Sequence, residues 1–383
     1  MSTQTLYYAT NRNHLGRNRW KPQGYGTKFS DDGIENLRFG KVAVPVEDAQ
    51  VTRFTSKTLE ANAGVGDGEG LSGYLAGRVR NASKIQAFEE VIDPDRSDVH
   101  QKDIKLGSQA MFAELKSLMM QATDVVIYIH GFNVTWSDAV ASALALQSML
   151  NTRDDGVILQ KVVVVLFTWP SDGMALPFVS YKSDRTEAEG TGYAFGRGLL
   201  KMRDYLSKLR DRSRDGVELC GQDLHLVCHS MGNYVLQNTL SRLEQFTPGS
   251  ALPRMFENIF LCAPDVDDDV LEPGKPMGSL HELTRNVTVY HNRGDKAMYV
   301  SDYTKGNPER LGTNGAARPM VVHNKVEQVD CTAVVHDGWI EHSYYLSGKT
   351  NQDMRFSVAG VPRDGVQRQR TPVADHANVW VLR

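Results

Sequence analysis

From about Gln109 onward, short continuous apolar runs alternate with longer stretches whose apolar residues recur at helical spacing. The runs are Asp124 to His130, Lys161 to Thr168, Asp223 to Cys228, Glu257 to Ala263 and Asn286 to His291, with Val326 to Asp330 as a sixth. A strand that is apolar without alternation is covered on both faces. Between the runs, Met111 to Met120, Ser137 to Leu150, Glu187 to Arg210 and Met231 to Phe246 read as helices. Ser137 or Asp138 is the expected N-cap of the second, and Gly190 to Gly198 interrupts the pattern of the third. This alternation predicts an α/β fold with right-handed crossovers: a mostly parallel central sheet with helices on both faces.

The two ends of the chain follow neither pattern clearly. Leu6 to Thr10 and Gly40 to Val46 read as short strands, with Pro45 indicating an edge position. Asn11 to Gly33 is rich in Asn, Gly and basic residues and reads as loop. Ala63 to Gly70 is a glycine-dense connector, without the preceding strand that a dinucleotide-binding glycine motif needs. Gly348 to Arg370 is polar and reads as loop or a poorly ordered tail. The expected organisation is an N-terminal extension packed on the core (1–110), a core (111–347) and a C-terminal tail (348–383).

Composition narrows the function classes. Of 383 residues, 41% are hydrophobic and 23% charged, which supplies ample apolar side chain for a core and excludes disorder as the dominant state. The formal charge of −3 lacks the basic footprint of a nucleic-acid binder. Cys220, Cys228, Cys262 and Cys331 form no Cys-x-x-Cys pair, so zinc knuckles and thioredoxin-like redox sites are not expected. The apolar runs, such as Val162 to Phe167, are too short to span a bilayer. Met1 to Tyr8 has no basic start followed by an apolar stretch. The expectation is a cytoplasmic protein with no membrane span.

The sharpest chemical signal is Leu224-His-Leu-Val-Cys-His-Ser-Met-Gly-Asn-Tyr-Val-Leu236. An apolar strand runs into Ser230 and a helix starts directly after it. That is the strand–turn–helix context of a nucleophile elbow, in which a strained turn lifts the serine hydroxyl above the sheet. The residues two before and two after must be small because they crowd each other. Gly232 meets this, and Cys228 stands where a glycine is usual. A helix N-terminus beside the serine favours an oxygen that becomes negative. The second signal, His130-Gly-Phe-Asn133, also ends a buried strand. Gly131 permits a tight turn. The amides of Phe132 and Met231 are the candidate oxyanion hole.

These two motifs resemble those of α/β-hydrolases. The runs Thr168-Trp-Pro-Ser-Asp-Gly173, Ala263-Pro-Asp-Val-Asp267 and Glu341-His-Ser-Tyr-Tyr345 resemble, more narrowly, a bacterial branch of that superfamily catalogued as a domain of unknown function. The similarity runs from Thr123 to Leu346, and Tyr8 to Arg12 echoes the opening of the same branch. The branch brings no known substrate. The superfamily implies an α/β-hydrolase fold and a chain order of serine, acid, histidine.

On that order Asp295, after the strand Asn286 to His291, takes the customary acid position, with Asp265 as the alternative acid. Of the later histidines, His323 precedes the strand-like run at Val326, and His376 is close to the end. His342 and His336 follow that run. His342 matches the resembled branch and is preferred, with His336 as the alternative base. His229 is expected to support the elbow, and its spacing from His225 lies on a strand, without the helix of a zinc protease. Asp265, Asp267, Asp268 and Asp269 suit either a hard cation or the N-terminus of a helix. The helix is preferred, because the Gly and terminal Glu of an EF-hand are missing.

The reading that follows is a serine hydrolase cleaving a small-molecule acyl ester, esterase- or lipase-like, with no metal or organic cofactor. An acyltransferase on the same fold, or a catalytically silent binding protein, are the alternatives. Trp169, Met174, Phe178 and Tyr181 are candidates for the wall of an acyl site, and Tyr303 to Pro319 for its entrance. The sequence does not bear on oligomeric state.

Overall fold

The computed structural model describes residues 1–60, 62–90, 106–153, 160–171, 177–213, 222–246, 249, 252–298, 309–335 and 342–383; within 177–213 it describes side chains for 181–205. The strands are β1 (Ser2–Thr10), β2 (Arg12–Leu15), β3 (Gly24–Phe29), β4 (Arg38–Val46), β5 (Lys84–Ala87), β6 (Asp124–Ile129), β7 (Val162–Thr168), β8 (Asp223–His229), β9 (Phe256–Cys262), β10 (Thr284–His291), β11 (Val326–Asp330), β12 (Arg370–Pro372) and β13 (Val379–Leu382). The helices are α1 (Asp48–Thr55), α2 (Gly68–Ala82), α3 (Gly107–Met119), α4 (Trp136–Leu150), α5 (Pro177–Ser213), α6 (Gly232–Phe246), α7 (Leu311–Asn314) and α8 (Gly348–Val358).

One 11-stranded sheet runs in the order β12-β13-β11-β10-β9-β8-β6-β7-β1-β4-β5. From β13 through β1 every neighbouring pair is parallel. Antiparallel pairing is confined to the two flanks. The unbroken apolar runs are explained by cover on both sides. Val125, Ile127, Ile129, Leu226 and Cys228 face a layer holding α3, α5 and α6. Val126, Tyr128, Val227 and Phe260 face one holding α2, α4 and α8. The register brings Ile129 beside Cys228 and Phe167, and His229 beside Cys262. The carboxyl ends of the central strands therefore form one rim, the edge at which open α/β sheets place their ligands.

The ends of the chain carry more structure than their composition suggests. The Asn11 to Gly33 stretch holds the β2–β3 hairpin, where loop was expected. Its Tyr25 sits in an aromatic cluster with Tyr8 and Trp136, ring centroids 4.7–5.4 Å apart. Tertiary packing of one aromatic thus outweighs the turn-forming composition around it. The Ala63 to Gly70 connector leads into α2, which Asp67 caps by accepting from the Gly70 N–H. Thr135, ahead of the expected Ser137 or Asp138, caps α4. Pro45 pairs with Thr3 on β1 and lies beyond the stretch of β4 that β5 covers, so its missing N–H costs no ladder bond.

The expected loose tail is instead α8 and two strands of the sheet. Its polarity hides a buried ionic cluster. Asp353, fully enclosed, accepts from Arg368 Nε at 2.9 Å, Arg370 Nε at 2.8 Å and the Tyr290 hydroxyl at 2.6 Å. Arg370 also pairs with Glu327 at 2.9 Å. The charges of a stretch that reads as polar loop are here matched internally. Cys228, Cys262 and Cys331 are buried free thiols, and Cys220 lies outside the described residues. No helix among the described residues is long and apolar enough to cross a membrane.

Burial alone would raise the Asp353 carboxyl, but Arg370 and Arg368 outweigh it and hold it at about 2, below its ordinary 3.8. Its stabilisation is therefore complete above the ordinary carboxylate range and is lost as pH falls through about 2. Asp353→Ala leaves two buried guanidiniums without this partner and is expected to cost about 3–5 kcal/mol in urea unfolding at neutral pH. The difference between the two proteins should shrink in titrations toward pH 2.

Candidate active site

Ser230 follows β8 directly and has φ 52°, in the left-handed region that non-glycine residues seldom adopt. Several bonds fix the turn. The Ser230 N–H donates to Cys262 O at 2.9 Å. The Ser230 carbonyl accepts from the N–H groups of Asn233 and Asp265 and from Asn233 Nδ2 at 2.9 Å, while the same amide also reaches Cys228 O. The two glycines of the motifs are spatial requirements. A Cβ at Gly232 would stand 2.7 Å from the carbonyl oxygens of Ile129 and His130, and one at Gly131 would stand 2.8 Å from Ser230 Cβ and 3.3 Å from its Oγ. The loop after β6 thus lies directly against the serine. Among the described residues, neither the Phe132 nor the Met231 N–H has a hydrogen-bond acceptor.

His342 arrives from beyond β11. Its Nδ1 donates to Asp295 Oδ2 at 2.7 Å, which fixes the tautomer with the lone pair on Nε2. Nε2 is buried with no hydrogen-bond partner among the described residues. Among the same residues no protein group holds the Ser230 hydroxyl, and no hydrogen bond joins it to Nε2. Asp295, after β10, is buried and steadied by the Ala297 N–H on its other oxygen at 3.0 Å. Burial works against a charge on His342, but Asp295, with smaller contributions from Asp265 and Glu69, outweighs it and raises the imidazole pKa above the ordinary 6.5.

His229 is bound to the same loop. Its Nε2 donates to the His342 carbonyl at 3.0 Å and its ring lies 4.7 Å from those of His342 and Tyr345. Burial, and then His342, push its pKa well below 6.5, so it stays neutral. His225 lies deeper on β8, donating from Nε2 to Asp124 and accepting at Nδ1 from Asn258, both at 3.0 Å.

Asp265 is also at the rim, but its Oδ1 faces the Tyr181 hydroxyl at 3.2 Å and Arg310 Nε at 3.4 Å. The structure brings His342 onto Asp295. Among the other histidines, His336 lies outside the described residues. His323 stacks on His281 at 3.8 Å ahead of β11, and His376 lies in the β12–β13 connection. The expected helix at the aspartate cluster is not present: residues 268–279 are turns. Arg310 pairs with Asp265 and Asp267, and Lys275 with Asp269, so side-chain cations rather than a helix dipole balance the charge. No group of three or more His, Cys, Asp or Glu among the described residues is placed to hold a metal.

Of the candidate acyl-wall residues, Tyr181 packs edge-on against Phe132 with centroids 5.7 Å apart. Trp169 is buried and stacks on His130 at 5.3 Å, so it supports the loop. Met174 and the Phe178 side chain lie outside the description. Of Tyr303 to Pro319, residues 303–308 lie outside the description, and the described part includes α7, with Arg310 and Leu311 fully buried. Sequence reasoning missed Arg12, Ser171 and Asp184, all buried around the His130 loop. The signal for Arg12 was its place in the Tyr8 to Arg12 run.

A mostly parallel sheet covered on both faces, with a serine turn after a central strand and an Asp–His pair on the same rim, is the architecture of an α/β-hydrolase. The chain belongs to the family described as alpha/beta hydrolase of unknown function (DUF900), which residues 108–352 match. No curated protein matches it. Similar solved structures include an esterase from Pyrobaculum calidifontis (12% identity, 63% of this chain and 76% of that one, TM-score 0.29). Others are the RedJ thioesterase of prodiginine biosynthesis from Streptomyces coelicolor (13%, 64% and 92%, 0.29) and a hormone-sensitive lipase from a metagenome library (12%, 62% and 74%, 0.30). Likeness at this level says nothing about substrate.

Gly131→Ala places a methyl group against Ser230 Cβ and should displace the elbow. The expected loss is about 1–3 kcal/mol in thermal or urea unfolding, as for other overpacked sites.

Proposed function

We propose that the protein is a serine hydrolase acting on a carboxylic ester, with Ser230 as nucleophile, His342 as general base and Asp295 as the acid that orients it. The observation that carries this reading is the 2.7 Å contact from His342 Nδ1 to Asp295, which leaves a partnerless Nε2 at the rim where the serine elbow ends. Ser230 Oγ attacks the ester carbonyl as His342 Nε2 takes its proton, and Asp295 stabilises the resulting imidazolium. The tetrahedral oxygen accepts from the unused N–H groups of Phe132 and Met231. Collapse expels the alcohol, which receives the proton from His342 and leaves an acyl-enzyme. Water, deprotonated by the same Nε2, attacks the acyl carbon, releasing the carboxylic acid and restoring Ser230. An ester is favoured over an amide because an alkoxide leaves more readily than an amide anion. Nothing in this scheme asks a metal or organic cofactor to act.

Fluorophosphonate labelling with mass mapping, and turnover of simple esters, test the reading. Label should map to Ser230, and Ser230→Ala should abolish both labelling and turnover. Asp295→Asn should lower kcat by up to about 10⁴-fold, as loss of the orienting acid does in a serine protease. Asp265→Asn should lower it far less; the opposite ranking would exchange the two acids. Because His342 must be neutral to act and its pKa is raised, kcat/KM should climb with pH through a value above 6.5. In Asp295→Asn that limb should move to lower pH.

A further inference from the structure

The loop after β6 is held unevenly. The Gly131 carbonyl accepts from His130 Nδ1 at 2.8 Å, and the Val134 carbonyl from Arg12 Nη2 at 2.7 Å. The Asn133 N–H donates to Asp184 Oδ2 at 2.7 Å, and the Val134 N–H to Ser171 Oγ at 3.1 Å. Ser171 in turn donates its hydroxyl proton to the same Asp184 oxygen at 2.6 Å. Between these bonded groups, the Phe132 N–H has no acceptor among the described residues. Arg12, Ser171 and Asp184 are each 0% exposed, so this polar scaffold is built entirely inside the protein. Burying it without function would be costly, since such groups gain little over well-packed apolar ones.

The three come from separate parts of the chain. Arg12 follows β1 and also bonds Thr168 Oγ1 at 2.9 Å and Gly26 O at 3.0 Å. Ser171 follows β7. Asp184 lies on α5, one turn after Tyr181, whose ring packs on Phe132. One helix therefore fixes both the backbone of the loop and the side chain at its tip. Asn133 adopts φ 55°, a left-handed turn that Asn tolerates better than most non-glycine residues and that these bonds further fix.

We propose that Asp184 and Ser171, opposed by Arg12, are positioning residues that aim the Phe132 N–H at the oxygen developing on a substrate bound to Ser230. This rests on the serine-hydrolase reading above. The bonds made by Asp184 and Ser171 are spent on the two amides after Phe132, so the loop is fixed without using the donor that chemistry needs. A donor fixed before reaction needs no reorganisation when charge develops, and misplacement by about 1 Å can cost about 10²-fold in rate.

Ser171→Ala removes one hydroxyl, and Asp184→Asn keeps the shape while giving up the charge; using both guards against one failing to fold. Each variant is titrated with fluorophosphonate to count competent serines, then assayed for ester kcat and KM and for inhibition by a boronic acid that forms a tetrahedral adduct. The expected result is a kcat per titrated site lower by about 10- to 100-fold, KM little changed, and boronate affinity weakened in parallel. A merely structural role would lower the number of titrated sites but leave kcat per site and boronate affinity intact, and that result overturns the proposal. A wild type that neither labels at Ser230 nor turns over ester overturns the underlying reading and this inference with it. An active wild type with unaltered variants overturns this inference alone.

Discussion

The left-handed backbone at Ser230 is the constraint around which the site is arranged. A non-glycine residue there costs about 1–2 kcal/mol relative to ordinary conformations, and the turn persists because its surroundings leave it no alternative. Its N–H and carbonyl are tied to β9, to Asp265 and to Asn233. The side chains at Gly131 and Gly232 are missing because the space is already taken. Two other left-handed non-glycine residues, Asn133 and Ala263, stand at the ends of flanking strands β6 and β9. Three of the five left-handed non-glycine residues among the described residues thus lie along this rim, and the other two, Gln369 and Asp375, flank β12. The register of β6, β8 and β9 makes those three turns neighbours.

Two histidines beside that rim are driven apart in chemical character by their surroundings. His342 has a carboxylate on Nδ1 and is raised, while His229, buried against it without such a partner, is depressed and neutral. Because His229 donates to the His342 carbonyl, it fixes the backbone of the residue whose ring Asp295 holds. His130 is depressed in the same way, by burial and then by Arg12. It donates from Nδ1 to a carbonyl and accepts at Nε2 from Thr168 at 2.9 Å. One imidazole is left to titrate while its neighbours serve as rigid spacers.

The parallel strands were legible because their apolar runs record burial on both faces, and the elbow because its spacing is a steric requirement that survives in sequence. The order of serine, Asp295 and His342 came from resemblance; periodicity alone left Asp265 and His336 open. What stayed hidden was structure whose stability comes from distant partners. The β2–β3 hairpin depends on Tyr25 meeting Tyr8 and Trp136. The strands β12 and β13 belong to a segment whose arginines look solvated until Asp353 and Glu327 are seen enclosing them. Arg12 reads as one basic residue in a polar stretch, and only the fold shows that it reaches Val134, Thr168 and Gly26 at once.

The seating of β1 beside β7 and of β13 beside β11 has a consequence for how the molecule is divided. A fragment trimmed to residues 108–352 would retain the serine, the aspartate and the histidine. It would also strip the hydrogen-bonding partners from two long-buried strands and present them to water as open flanks, the kind of surface on which chains stick to one another. A unit that keeps the partners of both β7 and β11 is therefore longer than the 108–352 span that matches the family.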